Sequence, residues 1–219
     1  MKLIIQYYTP NNEKRNSEYL YCINENMNSK LFDEIHIFVE EGSYLNLKLN
    51  GDVIIHSDKR KNFQDLFKYC NDNFPNEICV ISNTDIIFDE TIKYINENNI
   101  DGKFLCLTRW EVLDDLSLEF YDDETQNRSY FSQDSWIFKS PIQISGVNFF
   151  MGVPGCDNRL AHEADKVLDV INPSKLIITK HMHRSNFRNE NRGIIFNPKL
   201  GVEPIDNIYG ESKKRKKTL

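Results

Sequence analysis

The first half of the sequence alternates short apolar runs with segments of helical spacing, and this alternation constrains the fold most. Runs typical of strands cover residues 2–8, 34–40, 52–56, 78–82 and 104–108. Helical spacing separates them at residues 17–27, 63–74 and 89–98. The order predicts an α/β fold with a mostly parallel central sheet and helices on both faces. Ligands of such sheets bind beyond the carboxyl ends of the strands, so residues that follow strands are the candidates for a site.

The second half of the chain is less regular. Its pattern predicts an acidic loop, a strand, a helix, a last strand and an irregular stretch, at residues 111–128, 135–139, 158–170, 176–179 and 186–210. Neither an internal repeat nor a linker interrupts residues 1–210, which predicts a single domain. Residues 211–219 contain the basic run Lys213–Lys217 and predict a disordered tail, or the start of a linker if the chain is one domain of a larger protein.

Charge and hydropathy exclude several classes of protein. The chain has 219 residues and a net charge of −6, which argues against a general nucleic-acid-binding protein. We expect neither a membrane-spanning helix nor a signal peptide, because the apolar runs are short and the N-terminal one has no small-residue cleavage site. Its five cysteines form no CxxC pair, which is typical of buried thiols in a reducing compartment. We therefore expect a cytoplasmic protein, in the host cytoplasm if the source is viral.

Candidate metal ligands follow two of the predicted strands. Asp85 comes directly after the strand at residues 78–82, where a carboxylate on a rigid edge suits a hard divalent cation. The alternative is that Asp85 only caps a turn. His181 and His183 follow the last strand at i and i+2, so both imidazoles point to one face and could bind a metal. The alternative is a pair of partly buried histidines without a ligand.

Candidate nucleotide-binding residues follow the third strand. Asp58 and Arg60 lie in a short loop with two lysines, where the cations could face phosphates and the carboxylate a ribose hydroxyl. The alternative, and the commoner case for such a loop, is a solvated basic surface.

Asp157 and Asp134 are the candidate catalytic carboxylates. Asp157 lies in a turn rich in glycine and proline, residues 152–158, at or near the start of a predicted helix. It is either a helix N-cap or a general base, and the helix N-terminus would lower its pKa and keep it ionised. Asp134, just before a strand, competes for the role of base or binds the acceptor. Trp136 could stack on a sugar or base, or simply belong to the core.

These features occur in an order that resembles the nucleotide-sugar glycosyltransferases of the GT-A fold. The resemblance is carried by residues 4–10, 82–86, 107–110 and 134–138, by the glycine turn before Asp157 and by the late His-x-His. It covers about residues 1–185 and is greatest to the rhamnosyltransferase-like domains of chlorovirus capsid glycosyltransferases.

The resemblance implies an inverting transferase that moves a sugar, with L-rhamnose as one candidate, from a UDP-sugar to a hydroxyl of a glycan or glycoprotein. Mn²⁺ or Mg²⁺ would bridge the donor diphosphate to Asp85, which matches the last acid of a D-x-D motif. Asn83 occupies the first acidic position, a departure that removes one charge. His181 or His183 matches the late metal ligand of several such families, and Asp157 matches the base.

By the same resemblance, the uracil and ribose would lie against Gln6, Tyr7 and Tyr8 at the end of the first strand. Arg109 lies in the matched stretch 107–110 and joins this cofactor-binding set.

Two other classes of protein fit the same residues. Paired carboxylates also serve metal-dependent glycoside hydrolases, which would release free sugar without any dependence on UDP. The replacement at Asn83 is also compatible with a non-catalytic module that binds nucleotide sugars through a degenerate site.

Overall fold

The computed structural model describes residues 1–48, 52–122, 128–185, 195 and 198–217. The strands are β1 (Lys2–Tyr7), β2 (Glu34–Glu40), β3 (Val53–Asp58), β4 (Ile78–Ser82), β5 (Ile86–Phe88), β6 (Lys103–Leu107), β7 (Trp110–Val112), β8 (Leu118–Phe120), β9 (Ser135–Lys139), β10 (Asp169–Ile171), β11 (Thr179–His181), β12 (Lys199–Val202) and β13 (Lys214–Lys217). The helices are α1 (Glu13–Ser29), α2 (Phe63–Asn73), α3 (Glu97–Ile100) and α4 (Cys156–Ala164), with 3₁₀ turns at Glu90–Tyr94 and Arg128–Phe131.

A central sheet of seven strands in the order β10-β6-β9-β4-β1-β2-β3 forms the middle of the molecule. β1 pairs in parallel with β2 and β4, β2 with β3, and β10 with β6. Within this sheet, only β9 is antiparallel to its neighbours, β4 and β6. The predicted α/β fold with a mostly parallel sheet is confirmed.

Apolar residues of β1 alternate between the two faces of this sheet, as the period of a strand requires. Leu3 and Ile5 join a core cluster that contains Tyr19, Ile23 and Met27 of α1. Ile4 joins the cluster on the other face, to which α2 and α4 contribute Phe63, Leu66, Phe67, Cys70, Leu160, Ala161 and Ala164. Helices therefore cover both faces, and all five cysteines are buried as free thiols.

α1 begins earlier than its apolar spacing predicts. The side chain of Asn12 accepts a hydrogen bond from the Arg15 N–H and caps the helix, so the first turn needs no apolar residue. The helix ends at Ser29, and Lys30 follows it as the C-cap, with a left-handed backbone and φ of 55°. The early start matters for function because it places Arg15 within the helix.

The second half of the chain differs more from the prediction. The predicted helix over residues 158–170 begins at Cys156 and ends at Ala164, and residues 169–171 form the edge strand β10. The apolar spacing typical of a helix continues past Ala164 only by coincidence. Val170 belongs to β10 and is buried where that strand pairs with β6. The predicted acidic loop contains the β7–β8 hairpin, and the last strand of the prediction lies at Thr179–His181 instead.

A second sheet, in the order β5-β11-β7-β8, stands beside the central one. A third contains only β12 and β13, which pair antiparallel from Lys199 opposite Lys217 to Val202 opposite Lys214. Residues 214–217, predicted to belong to a disordered tail, are thus in a strand. β12 is fixed in place because its Leu200 and Val202 are buried in the core near α4, and β13 pairs with its edge. Within the described ranges, no helix has the length and apolar character needed to span a bilayer.

Candidate functional site

A cleft of about 390 Å³ opens at the carboxyl ends of β1 and β4. β2 and β3 lie on one side of β1 in the central sheet, and β4 lies on its other side. The connections that follow β1 and β3 therefore run in opposite directions across the sheet. Such a switch point is where open α/β sheets bind ligands, and the volume is in the usual range for small-molecule sites.

Ten of the twelve site residues predicted from the sequence line this cleft. They are Gln6, Tyr8, Arg60, Asn83, Asp85, Arg109, Asp134, Asp157, His181 and His183. Tyr7 does not line it, because its side chain points into the core between the sheet and α1 and its hydroxyl donates to Asn16 Oδ1 at 2.7 Å. Asp58 ends β3, but its side chain lies outside the described part of the structure.

Asp85 lies at the floor of the cleft and is nearly fully buried. Its Oδ2 accepts a hydrogen bond from Arg15 Nη2 and lies 3.2 Å from His181 Nε2. Burial raises the pKa of Asp85, but His181 and Arg15 have the larger combined effect and hold it well below its usual range. The carboxylate is therefore ionised at any physiological pH.

His181 connects Asp85 to the second sheet. Its Nδ1 lies 2.6 Å from Glu111 Oε2, so carboxylates flank both ring nitrogens. Burial lowers the pKa of His181, but Asp85 and Glu111 raise it to about 9, which makes the imidazole a cation in the free protein. Glu111 is ionised as well, because His181 and Arg109 outweigh its burial and lower its pKa to about 2. The second histidine, His183, packs edge-on against the His181 ring at 5.5 Å between centroids.

Asp85 and His181 are two side chains that could each provide one ligand to a divalent cation. An oxygen of Asp85 and a nitrogen of His181 lie 3.2 Å apart, close to the ~3 Å expected for adjacent ligands of one octahedral ion. Among the described residues, no group of three or more His, Cys, Asp or Glu side chains could hold a metal. A cation at this point would accordingly need phosphate or water oxygens to complete its shell.

Asp134 is held on both of its oxygens. Arg109 Nη1 donates to Oδ2 at 2.9 Å, and Asn83 Nδ2 donates to Oδ1 at 2.7 Å. The same arginine also donates from Nε to Glu111 Oε1 at 2.6 Å. Arg109 and Asn83 thereby fix the orientation of the Asp134 carboxylate in the cleft.

Asp157 lies in the first turn of α4, and its pKa differs from the expectation. Gly155, with φ of 86°, is the N-cap, and it makes no side-chain cap hydrogen bond. Asp157 Oδ2 accepts from the Gln133 backbone N–H at 3.2 Å. Burial raises the pKa of Asp157 to about 6, and the Asp134 carboxylate adds to the rise. The expectation of a lowered pKa was wrong, because loss of hydration outweighs the field of the helix N-terminus.

The other wall of the cleft is formed by the ends of β1, β2 and β3. Gln6 Nε2 donates to Glu40 Oε1 at 3.1 Å, while its Oε1 accepts from the Lys61 backbone N–H at 2.9 Å. Arg60 Nη2 donates to the Met151 carbonyl at 2.6 Å, and its guanidinium lies over the Phe150 ring at 4.9 Å. Arg60 therefore bridges the wall to the glycine-rich turn before α4.

Several residues of the cleft were not predicted from the sequence. Arg15, Tyr19, Tyr121 and Gln133 line it, and Glu111 supports it from β7. The sequence gives one indication of Arg15: it lies four residues before Tyr19, so both side chains are on the same, buried face of α1. Trp136, a candidate for stacking, packs edge-on against Phe63 in the core, and its Nε1 is buried without a hydrogen-bond partner in the described structure.

Several solved structures are similar to this protein at low sequence identity. A putative glucose-1-phosphate thymidylyltransferase from Bacillus anthracis is 14% identical, with coverage of 78% of this chain and 85% of that chain and a TM-score of 0.46. A 4-diphosphocytidyl-2C-methyl-D-erythritolsynthase from Anaerococcus prevotii is 12% identical, with coverage of 87% and 92% and a TM-score of 0.48.

The inositol-1-phosphate CTP transferase from T. maritima is 12% identical, with coverage of 86% of this chain and 92% of that chain and a TM-score of 0.50. The fold is Rossmann-like. At this level of identity the similarity establishes the architecture alone. A scan against protein-family models gives no match, and neither does a search of curated proteins.

Proposed function

We propose that the protein is a glycosyltransferase that transfers a sugar from a nucleotide-sugar donor to an acceptor hydroxyl with inversion. The observation that carries this proposal is the pair of carboxylates in the cleft at the switch point. Both oxygens of Asp134 are held by donors, whereas the partly buried Asp157 has a pKa of about 6. A carboxylate with a pKa near the working pH suits the removal of a proton from a hydroxyl.

Asp157 is the general base of this proposal, and Asp134 is its positioning neighbour. At neutral pH Asp157 is mostly ionised, and it takes the proton of the acceptor hydroxyl as the oxygen attacks the anomeric carbon. Asp134 is held by Arg109 and Asn83, and its charge helps to keep the proton affinity of Asp157 high. One base is sufficient for inversion, because no covalent intermediate is formed.

The donor diphosphate would lie between Asp85 and the arginines of the cleft. The charges that line it balance one another: Arg15, Arg60, Arg109 and the His181 cation face Glu40, Asp85, Asp134 and Asp157. An anionic diphosphate therefore needs an additional positive charge. Mn²⁺ or Mg²⁺ held by Asp85 and a histidine would supply it, acting as a Lewis acid toward the leaving nucleotide. His181 is the better placed histidine, because its Nε2 already contacts Asp85, and it would have to release its Nε2 proton to the solvent to hold the metal.

The remaining specificity follows from the sequence resemblance. Gln6 and Tyr8 lie at the end of β1, where the base and ribose of a nucleotide would reach the switch point. UDP is the expected nucleotide, L-rhamnose is one candidate sugar, and a glycan or glycoprotein is the expected acceptor.

Calorimetric titration with UDP, GDP, dTDP and CMP, each with and without Mn²⁺, tests this proposal. UDP should bind selectively, and Mn²⁺ should strengthen its binding. Failure of all four nucleotides to bind would overturn the proposal.

The products then separate the alternatives for a nucleotide that binds. Glycosyl transfer releases a nucleoside diphosphate only when an acceptor hydroxyl is present. Release of free sugar without nucleotide dependence would indicate a glycoside hydrolase, and binding without turnover would indicate a non-catalytic module. Pyrophosphate release from a nucleoside triphosphate would instead indicate nucleotidyl transfer.

A further inference from the structure

Arg15 is held at three points around the floor of the cleft. Nη1 donates to Glu18 Oε2 and to the Met182 carbonyl, each at 2.8 Å, while Nη2 donates to Asp85 Oδ2. The guanidinium carbon also lies 4.6 Å from the centre of the Tyr19 ring. The side chain is almost completely buried, so water offers no competing partners.

The contact with Asp85 occupies the same oxygen that faces His181. Asp85 Oδ2 both accepts from Arg15 Nη2 and lies 3.2 Å from His181 Nε2. A divalent cation that binds between Asp85 and His181 needs a lone pair of this oxygen and one of His181 Nε2, whose proton passes to the solvent. An arginine cannot lose its charge in a protein, so it yields the oxygen only by moving. Arg15 and a cation therefore compete for one carboxylate.

The other contacts of Arg15 do not depend on Asp85. Glu18 and the Met182 carbonyl hold Nη1, and the Tyr19 ring covers the guanidinium. Glu18 is itself fixed, because its Oε1 accepts from the Ser185 backbone N–H at 2.6 Å and its Oε2 from the Ser185 hydroxyl at 2.9 Å. Nη2 can consequently leave Asp85 while the rest of the side chain stays at the edge of the cleft.

We propose that Arg15 gates metal binding: it keeps Asp85 occupied in the free protein, and a divalent cation must displace its Nη2 to bind. This inference rests on the metal-binding role of Asp85 in the proposed function. Metal alone therefore binds weakly. A nucleotide diphosphate makes metal binding tighter, because its negative charge gives the displaced guanidinium a new partner. Arg15 in this way couples the binding of metal to the binding of donor.

Electron paramagnetic resonance of free Mn²⁺, titrated with protein and no nucleotide, tests the competition directly. Arg15→Gln should bind Mn²⁺ about 10- to 100-fold more tightly than the wild type, the range expected for loss of one competing charged hydrogen bond. Lys14→Gln is the matched control, because it removes the same charge from an exposed position of the same helix and should change nothing. Asp85→Asn added to Arg15→Gln should abolish the gain. Equal Mn²⁺ affinity of Arg15→Gln and the wild type would overturn the proposal.

A measurement on the wild type covers the case in which Arg15→Gln fails to fold. Crystals soaked in MnCl₂, with anomalous diffraction recorded, should show manganese on Asp85 and Arg15 Nη2 withdrawn from Oδ2. Manganese on Asp85 with that hydrogen bond intact, or no manganese at Asp85, would overturn the proposal. Neither readout uses a nucleotide, so failure here is distinguishable from failure of the proposed function, which is tested by nucleotide binding and transfer.

Discussion

At the scale of single residues, the carboxylates of Asp134 and Asp157 have different hydrogen-bond partners. Asp134 accepts hydrogen bonds from a guanidinium and an amide, whereas the partly buried Asp157 has backbone N–H groups as donors. Hydration is lost at both positions, but only Asp134 receives a full opposite charge in return. The raised pKa of Asp157 and the fixed orientation of Asp134 give the two side chains different roles in the proposed reaction.

Asp157→Asn should abolish sugar transfer and leave nucleotide affinity unchanged. The amide has nearly the shape of the carboxylate but cannot take a proton from a hydroxyl, so only the chemical step is lost. Initial rates and calorimetric titration, measured on the same preparation, check both halves of the prediction. Asp101→Asn, at a carboxylate that is 82% exposed, is the control and should retain full activity. An equal loss of nucleotide affinity in Asp157→Asn would mean that the residue is structural.

The same substitution should stabilise the protein at neutral pH. The pKa of Asp157 is about 6 in the folded chain, above its ordinary value of 3.8, so the folded state holds the proton more tightly. Stability from this group is present below pH ~4 and is lost as the pH rises through 6. Urea denaturation should show Asp157→Asn more stable by ~1–3 kcal/mol at pH 7.5, with a smaller difference at pH 4.5. A destabilised variant at pH 7.5 would contradict this account.

At the scale of secondary-structure elements, the C-terminal hairpin supports the helix that carries Asp157. β13 pairs along its length with β12, whose Leu200 and Val202 are buried in the core, and Lys214 forms an ion pair with Asp165 at the end of α4. The hairpin thus packs against α4 and is tied to its C-terminal end.

Deletion of residues 211–219 should lower the stability of the protein. It removes the strand pairing of β12 and exposes part of the apolar surface beneath it, at an expected cost of ~2–4 kcal/mol. Thermal denaturation of the shortened chain checks this, with deletion of residues 218–219 as the control that leaves β13 intact. Identical melting temperatures for all three proteins would show that β13 contributes nothing to the fold.

The elements also show why sequence reasoning succeeds in one half of the chain and fails in the other. β2, β4 and β9 have the bounds predicted for them, because each is a mostly apolar run whose successive central residues are buried. The end of α4 was missed because the apolar residues of β10 continue the helical spacing. Periodicity alone cannot separate a buried strand from the next turn of a helix.

The same reasoning applies to the site. Residues at strand ends, such as Asp85, were predictable because a parallel sheet brings the carboxyl ends of its strands to one edge. Arg15 was not predictable, because its partner is 70 positions away and the contact depends on how α1 packs on the sheet. Glu111 was missed for a related reason, since it reaches the site from the second sheet.

At the scale of the whole molecule, a chain of charged side chains connects α1 and the two larger sheets. It runs from Arg15 through Asp85 and His181 to Glu111 and on to Arg109. Positive and negative groups alternate along it, and each is mostly withdrawn from water. His181 is the only link whose charge can change near physiological pH, so the stability of the whole assembly should follow its titration.

The protein should therefore lose stability in mildly alkaline solution. The pKa of His181 is about 9 when folded and 6.5 ordinarily, so its contribution is complete below pH 6.5 and is lost as the pH rises through 9. Urea denaturation in EDTA at pH 7, 8.5 and 9.5 should show a decline of ~1–3 kcal/mol across this range. His181→Gln should be less stable than the wild type at pH 7, and its decline should be smaller because its side chain cannot titrate. A parallel decline in both proteins would place the alkaline transition elsewhere, and the imidazolium would then not be the group that holds the two sheets together.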